Sequence, residues 1–319
     1  MPVSTVKNYL SLIKFSHTIF AMPFALIGFF LGVFTYENKF IRLTWEGDIA
    51  GATFRAAYNF KGLLILFVLV VLCMVFARSA AMAFNRYLDR SFDAKNPRTA
   101  IREIPKGIIS ANSALRFVIL SCIAFVVCTW FINPLCFALS PVALLVVLGY
   151  SYTKRFTALC HIVLGLGLSL APIGAYLAVT GHFALLPILF SFAVVFWVSG
   201  FDIIYALQDE DFDKSQQLYS IPAALGKANA LRVSEMLHML SLVCVIFAGV
   251  YGRQYGGVVG HFHWSYWAGV SVFAGMLVYQ HSVVKPNDLR RVNLAFMTAN
   301  GIASVVFAVF VIADLFIYA

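Results

Sequence analysis

Long runs of Leu, Val, Ile, Phe and Ala dominate this chain, starting near Thr18, Gly62, Ser113, Leu135, His161, Ala184, Glu235, Trp264 and Asn293. A bilayer core about 30 Å thick takes roughly 20 apolar residues in helical form, and each run is near that length. Polar residues gather between the runs and do not alternate with apolar ones, so the period-2 pattern of a membrane β-barrel is missing and helices are expected. The pattern therefore predicts an all-α, polytopic membrane protein with about nine transmembrane helices, forming a single domain over residues 1–319. Asn133-Pro134 directly before the fourth run predicts a tight hairpin between spans three and four. Lys7 and Lys14 precede the first run and no small-residue cleavage site follows, so that run reads as a retained helix.

Composition excludes the other broad classes. The chain is 61% hydrophobic and 12% charged, with a mean hydropathy of +0.87, whereas soluble domains carry about 25% charged residues. Aromatics at 16% exclude a disordered chain. In a soluble protein the net charge of +9 would point to nucleic acid. Here the basic residues flank apolar spans, so the lipid bilayer is the expected partner and nucleic acid is not. With the N-terminus inside, Lys39, Arg42, Arg55, Lys61 and Arg253 fall outside and the other 18 of 23 basic residues fall inside. This asymmetry predicts a multi-pass protein of the cell inner (plasma) membrane, with the N-terminus and the Asp-rich loops cytoplasmic. The six cysteines lie in apolar stretches without a C-x-x-C pair and read as packing residues.

The acidic residues are unevenly placed: seven of 14 fall in residues 85–93 and 202–213, at the ends of the second and sixth spans. Asn85, Asp89 and Asp93 are spaced four apart, as are Tyr205, Asp209 and Asp213, so each trio lies along one helix face. The two trios are offset by 120 positions throughout, and Ile104-Pro105 is echoed by Ile221-Pro222. These correspondences point to a weak internal repeat, about 62–180 and 184–319, that brings two carboxylate faces to one cavity. Facing carboxylates repel unless a cation sits between them. Hard oxygen donors suit Mg²⁺, which takes one or two carboxylates and completes its shell with waters and phosphates. Phosphate-binding candidates crowd the same loops: Arg90, Lys95, Arg98, Arg102, Lys106, Lys154, Arg155, Lys214 and Lys227. Together these imply a Mg²⁺-diphosphate site opening into the bilayer. Elsewhere, His261, His263, Trp264 and Trp267 read as an interfacial belt, Asp314 as a residue at the outer interface, and Gly28, Gly32, Gly165 and Gly167 as close-packing positions.

The motifs resemble those of the UbiA superfamily of intramembrane prenyltransferases. Its N-D-x-x-D-x-x-x-D signature is matched by Asn85, Asp89 and Asp93, and its D-x-x-Y-x-x-x-D-x-x-x-D signature by Asp202, Tyr205, Asp209 and Asp213. Arg102-Glu103-Ile104-Pro105-Lys106-Gly107 resembles the R-P-L-P-S-G loop, and Tyr150-Ser151-Tyr152-Thr153-Lys154-Arg155 the Y-x-x-x-K-R element. The stretch from Phe15-Ser16-His17 through Met22-Pro23-Phe24-Ala25 is similar to the opening of the 4-hydroxybenzoate polyprenyltransferase-like branch, including futalosine-pathway menaquinone members. One departure stands out: Arg86 occupies the place of the second Asp in many 4-hydroxybenzoate enzymes.

The resemblance implies Mg²⁺-dependent transfer of a polyprenyl group from polyprenyl diphosphate to an aromatic acid, 4-hydroxybenzoate or a naphthoate, in ubiquinone or menaquinone biosynthesis. It implies Asp89, Asp93, Asp209 and Asp213 as metal ligands, with Asn85 and Asp202 in support. Lys154, Arg155 and Arg98 would bind the diphosphate, and Arg102 or Arg86 the acceptor carboxylate. Asp89, Asp209, Tyr205 and Tyr150 would be catalytic, with Tyr150, Tyr152 and Tyr205 walling the allylic cation. Farnesylation of a haem precursor is the nearest alternative within the family. A secondary transporter is the rival from another class, disfavoured because the carboxylates lie at span ends among basic loops.

Overall fold

The computed structural model describes residues 3–13, 22–36, 60–255 and 262–318. The stretch around Phe15, Lys39, Arg42 and Arg55, and His261, therefore lie outside the described residues. The described chain is built of helices: α1 (Val3–Leu12), α2 (Met22–Tyr36), α3 (Phe60–Leu88), α4 (Arg90–Lys95), α5 (Ala111–Ile132), α6 (Pro134–Thr153), α7 (Cys160–Thr180), α8 (Leu185–Ala206), α9 (Glu210–Ser215), α10 (Ile221–Tyr255), α11 (Trp264–Val283) and α12 (Asn300–Tyr318). Among the described residues there is no β-strand, only an isolated bridge between Lys285 and Asp288. Seven helices are long and apolar enough to cross a bilayer. Met22–Tyr36 falls short by length and Trp264–Val283 by its Trp, Tyr, Gln and His content, so the described residues give seven such spans where the sequence predicts about nine.

Local chemistry explains the joints. Asn133 caps α6 by accepting from the Cys136 backbone N–H at 2.8 Å, and Pro134 fills the first helical position, where no hydrogen bond is lost. The same side chain donates to the Leu177 carbonyl at 2.9 Å and so ties the α5–α6 hairpin to α7. Ser110 caps α5 through the Ser113 N–H. Gly226, at φ +75°, breaks α10 near its start, a conformation that glycine adopts without cost.

The core centres on α8, which packs between α7 and α10. Trp197 is fully buried there. Its ring lies 5.3 Å from Phe24 of α2 and 6.0 Å from Phe273 of α11, and Phe307 of α12 closes the group at 5.4 Å from Phe273. Tilted aromatic pairs at these distances add packing energy beyond the area they bury. Asp314, near the end of α12, is buried within the protein: it accepts from the backbone N–H groups of His263 and Tyr266, at 3.0 and 3.1 Å, and from the Ser265 hydroxyl. A carboxylate at the start of α11 satisfies donors that the helix itself leaves free, which explains a buried acid so far from the Asp-rich loops.

Three of the four expected close-packing glycines behave as such. A Cβ on Gly28 would lie 2.0 Å from the Pro172 carbonyl oxygen of α7, one on Gly32 2.8 Å from Val179 Cβ, and one on Gly165 2.5 Å from the Val195 carbonyl oxygen. Gly167 differs, since a Cβ there would meet nothing nearer than 3.8 Å. Gly28→Ala is expected to push α2 off α7 at a cost of about 1–3 kcal/mol, lowering the melting temperature in a fixed detergent. Gly167→Ala should leave it unchanged.

Candidate functional site

The C-terminal ends of α3, α6 and α8 and the N-terminal end of α7 surround a polar cavity of about 510 Å³. Asn85 and Arg86 face it from the last turns of α3, Asp93 from α4, and Arg98 and Arg102 from the loop that follows. Tyr150, Lys154 and Arg155 come from the end of α6. Asp202 and Tyr205 lie on α8, and Asp209 on the turn after it. Asp89, between α3 and α4, completes the set. Of the four aspartates expected to hold metal, Asp213 alone stands behind the wall: it is fully buried, with Lys154 between it and the cavity.

Each aspartate of the two trios has its own base. Asp89 pairs with Arg155 at 3.0 Å and Asp213 with Lys154 at 2.7 Å. Asp93 takes Arg102 Nη1 on both oxygens, at 2.6 and 2.8 Å. Asp209 takes two guanidinium nitrogens of Arg98 and the amide of Asn96. Arg98 also donates to the Tyr205 hydroxyl at 2.8 Å, with its guanidinium 5.1 Å from that ring. Asn85 donates to the second oxygen of Asp89 at 3.1 Å. Three of these pairs join different segments, so the loop after α4 is fastened to the second trio and the end of α6 to both.

The electrostatics follow from this crowding. Burial pushes the Asp89 carboxyl up to about 6, with Arg155 opposing and Asp93 adding to the rise. Burial works against the Lys154 ammonium, yet Asp213 holds its pKa above the ordinary lysine value. Arg98 is likewise held up by Asp209 and Tyr205 against its burial. Arg86 is different in kind. It is buried, and its Nε and Nη1 make no hydrogen bond. A buried guanidinium with two unpartnered nitrogens marks a place where an anion is wanted.

Several expectations need correction. Tyr152 is about half exposed, beside Phe84, and does not face the cavity. Residues two apart on a helix point some 200° apart, so Tyr150 and Tyr152 do not share a wall. Arg90, Lys95, Lys106, Lys214 and Lys227 do not line the cavity either. Lys214 pairs with Glu210 at 2.5 Å, and Arg90 folds onto the Tyr87 carbonyl. The cavity also contains residues that the motifs did not mark: Arg78, Asn96 and His161. Arg78 had a signal, as a lone charge inside an apolar span. Asn96 had none, because its role depends on a loop that crosses to Asp209.

A second cavity of about 350 Å³, almost wholly apolar, opens between α3, α5, α6 and α7. Arg78, Met82, Tyr150, Leu164 and Leu168 line both cavities and form the junction between them. Among the described residues no three His, Cys, Asp or Glu side chains converge on a single ion position. Two arms of paired carboxylates nonetheless suit Mg²⁺, which needs only one or two of them and draws its remaining ligands from water and phosphate. The donor set thus fits an ion that arrives with a phosphate group better than one held in an all-protein cage.

Comparison with known proteins agrees with this geometry. The model of the UbiA prenyltransferase family matches residues 49–302. The chain is 30% identical over 247 residues to the 4-hydroxybenzoate octaprenyltransferase of Tolumonas auensis, covering 77% of this chain and 82% of that protein. The protein of the same name in Burkholderia mallei is 31% identical with the same coverage. Among solved structures, the apo UbiA homologue from Aeropyrum pernix K1 superposes with a TM-score of 0.72 at 26% identity, over 94% of this chain and 97% of that one. The UbiA homologue from Archaeoglobus fulgidus bound to DMAPP and Mg²⁺ has the same fold, with a TM-score of 0.67 at 20% identity, over 97% and 99% of the two chains.

The Arg98–Asp209 pair is expected to behave as one unit. Arg98→Gln and Asp209→Asn should each lower the melting temperature in detergent, and the double variant should be no lower than the worse single one. Additive losses would mean that the two side chains act independently.

Proposed function

The chain belongs to the UbiA prenyltransferase family, and from that premise we propose that it couples a polyprenyl diphosphate to an aromatic acid in quinone synthesis, with Mg²⁺ as cofactor. The acceptor is 4-hydroxybenzoate, as in the names of its relatives, or a naphthoate of the same pattern. The observation that carries this reading is the junction of two cavities, one lined by carboxylate–base pairs and the other apolar, across the shared residues Arg78 and Tyr150. A substrate with a diphosphate head and a hydrocarbon tail fits both at once. Its allylic carbon then falls at the junction.

Asp89, Asp93 and Asp209, which line the cavity, are the proposed Mg²⁺ carboxylates, with Asn85 holding Asp89 in orientation; Asp213, expected from the sequence to join them, instead holds Lys154 from behind the wall. The ion supplies charge neutralisation for the departing diphosphate. Arg98, Arg155 and Lys154 stand beside those carboxylates as the cations for the phosphate oxygens. Tyr150, at the junction of the two cavities, is the ring placed to stabilise the allylic cation through its π electrons, while the apolar wall excludes water; the Tyr205 ring already carries Arg98 over it. For the acceptor carboxylate, Arg86 is the better candidate of the two arginines raised by the sequence. Its Nε and Nη1 take no hydrogen-bond partner, whereas Arg102 is committed to Asp93. The charge asymmetry of the loops supports an inner-membrane setting with the site at the cytoplasmic face.

Assays on membranes with labelled polyprenyl diphosphate and 4-hydroxybenzoate or a naphthoate acid, with and without Mg²⁺, test the reading. Coupling is expected only with Mg²⁺, and an Asp89→Ala or Asp209→Ala variant should insert normally yet lose turnover; full activity in both would sink the metal scheme. Arg86→Met is expected to raise the KM for the acid by about 10–100-fold, the size of a lost charge-assisted pair of about 1.5–3 kcal/mol, with little change in KM for the diphosphate.

A further inference from the structure

Substitution on an aromatic ring must dispose of a proton, and the carboxylates already described are committed to bases. Asp89, Asp93, Asp209 and Asp213 each hold a guanidinium or an ammonium. Glu103 lies on the loop after α4, where its carboxylate accepts from the Ser11 hydroxyl of α1. Asp202 is the remaining acid of the cavity, and its partner is a histidine: Oδ2 lies 2.6 Å from His161 Nδ1.

The tautomer of that histidine follows from its other nitrogen. His161 Nε2 receives the backbone N–H of Ile221 at 3.4 Å. An amide N–H can only donate, so Nε2 accepts, and the ring proton sits on Nδ1, directed at Asp202. The ring is buried, and its backbone carbonyl is held by the Ser199 hydroxyl at 3.1 Å. The dyad is therefore locked by α7, α8 and the start of α10. Oδ1 of Asp202 takes no hydrogen bond among the described residues, and the side chain is 24% exposed, toward the cavity. Asp202 lines the same cavity as Tyr150, which stands at the junction with the apolar one.

We propose that Asp202 accepts the proton lost from the acceptor ring and that His161 is the positioning residue that aims it, a role that rests on the prenylation reading above. The C–O bond of the donor breaks with its electron pair left on the diphosphate, and the ring carbon bonds to the allylic carbon. The C–H bond at that ring carbon then breaks, its electron pair restores the aromatic ring, and the proton passes to Asp202 Oδ1. His161 holds the carboxylate through one N–H donor to Oδ2 and leaves Oδ1 open to the cavity.

The test uses the full chain in lipid nanodiscs with Mg²⁺, geranyl diphosphate and either 4-hydroxybenzoate or a naphthoate acid, each with the ring hydrogens exchanged for deuterium or not. In the unmodified protein, ionisation precedes proton loss and the isotope effect is expected near unity. Asp202→Asn should lower kcat by about 10²–10⁴-fold, the usual contribution of a general base, with an isotope effect clearly above unity and an unchanged KM for geranyl diphosphate. His161→Leu should move in the same direction, and His161→Asn, whose amide restores a donor to Asp202, should recover most of the rate. If His161→Leu fails to fold, Asp202→Asn and His161→Asn carry the test. Slow variants whose isotope effect stays at unity, or a fully active His161→Leu, would overturn the dyad while leaving prenylation intact. No coupling by the unmodified protein to either acid would overturn the prenylation reading and the dyad with it.

Discussion

Charge neutralisation in a poorly hydrated place is the constraint on which this structure depends. Six acids stand in or just behind one cavity: Asp89, Asp93, Glu103, Asp202, Asp209 and Asp213. Six bases, Arg78, Arg86, Arg98, Arg102, Lys154 and Arg155, face them. Separating these sets would leave uncompensated charge at low dielectric, which is far costlier than any single contact is favourable. The pairs therefore act as fasteners. Lys154 and Arg155 are adjacent in sequence yet reach opposite trios, so the end of α6 brackets the two arms, and Arg98 crosses from one arm to the other.

Polar groups elsewhere in the bundle serve a different purpose, and their hydrogen bonding distinguishes them. Asp314 is saturated by the first turn of α11. Asn300 accepts from both Trp197 and Gln280 and donates to the carbonyls of Ala295 and Phe296. Such sets hold helices in register where lipid offers no alternative partner, with Gln280 Oε1 the one member atom left without a hydrogen bond. At the cavity, by contrast, Arg86 and Arg78 keep buried nitrogens without partners and Asp202 keeps a free oxygen. Unsatisfied groups of this kind are expensive to maintain, and they cluster where a substrate supplies the missing partner.

The division between a polar and an apolar cavity follows from the same arrangement of α3, α6 and α7. Their ends at the Asp-rich loops carry Asn85, Lys154 and His161, while their middles carry small and aliphatic residues such as Ala77, Val147 and Gly167. Gly167, unlike Gly28, has no helix pressed against it, and the space this leaves belongs to the apolar cavity. One helix triplet thus produces both environments along its length.

Much of this was legible in the chain itself. Continuous apolar runs dictate helices because a bilayer leaves backbone groups no other partner, and the four-residue spacing of Asn85, Asp89 and Asp93 dictates a shared face. The Asn133-Pro134 joint reads directly as a cap. Other features had no local signal. That Asp213 turns inward to Lys154 while Asp209 faces the cavity, that Asn96 reaches Asp209, and that His161 stands behind Asp202 are set by contacts between residues 41 to 113 positions apart. Periodicity specifies which face of its own helix a side chain occupies; only the packing of several helices decides what that face meets.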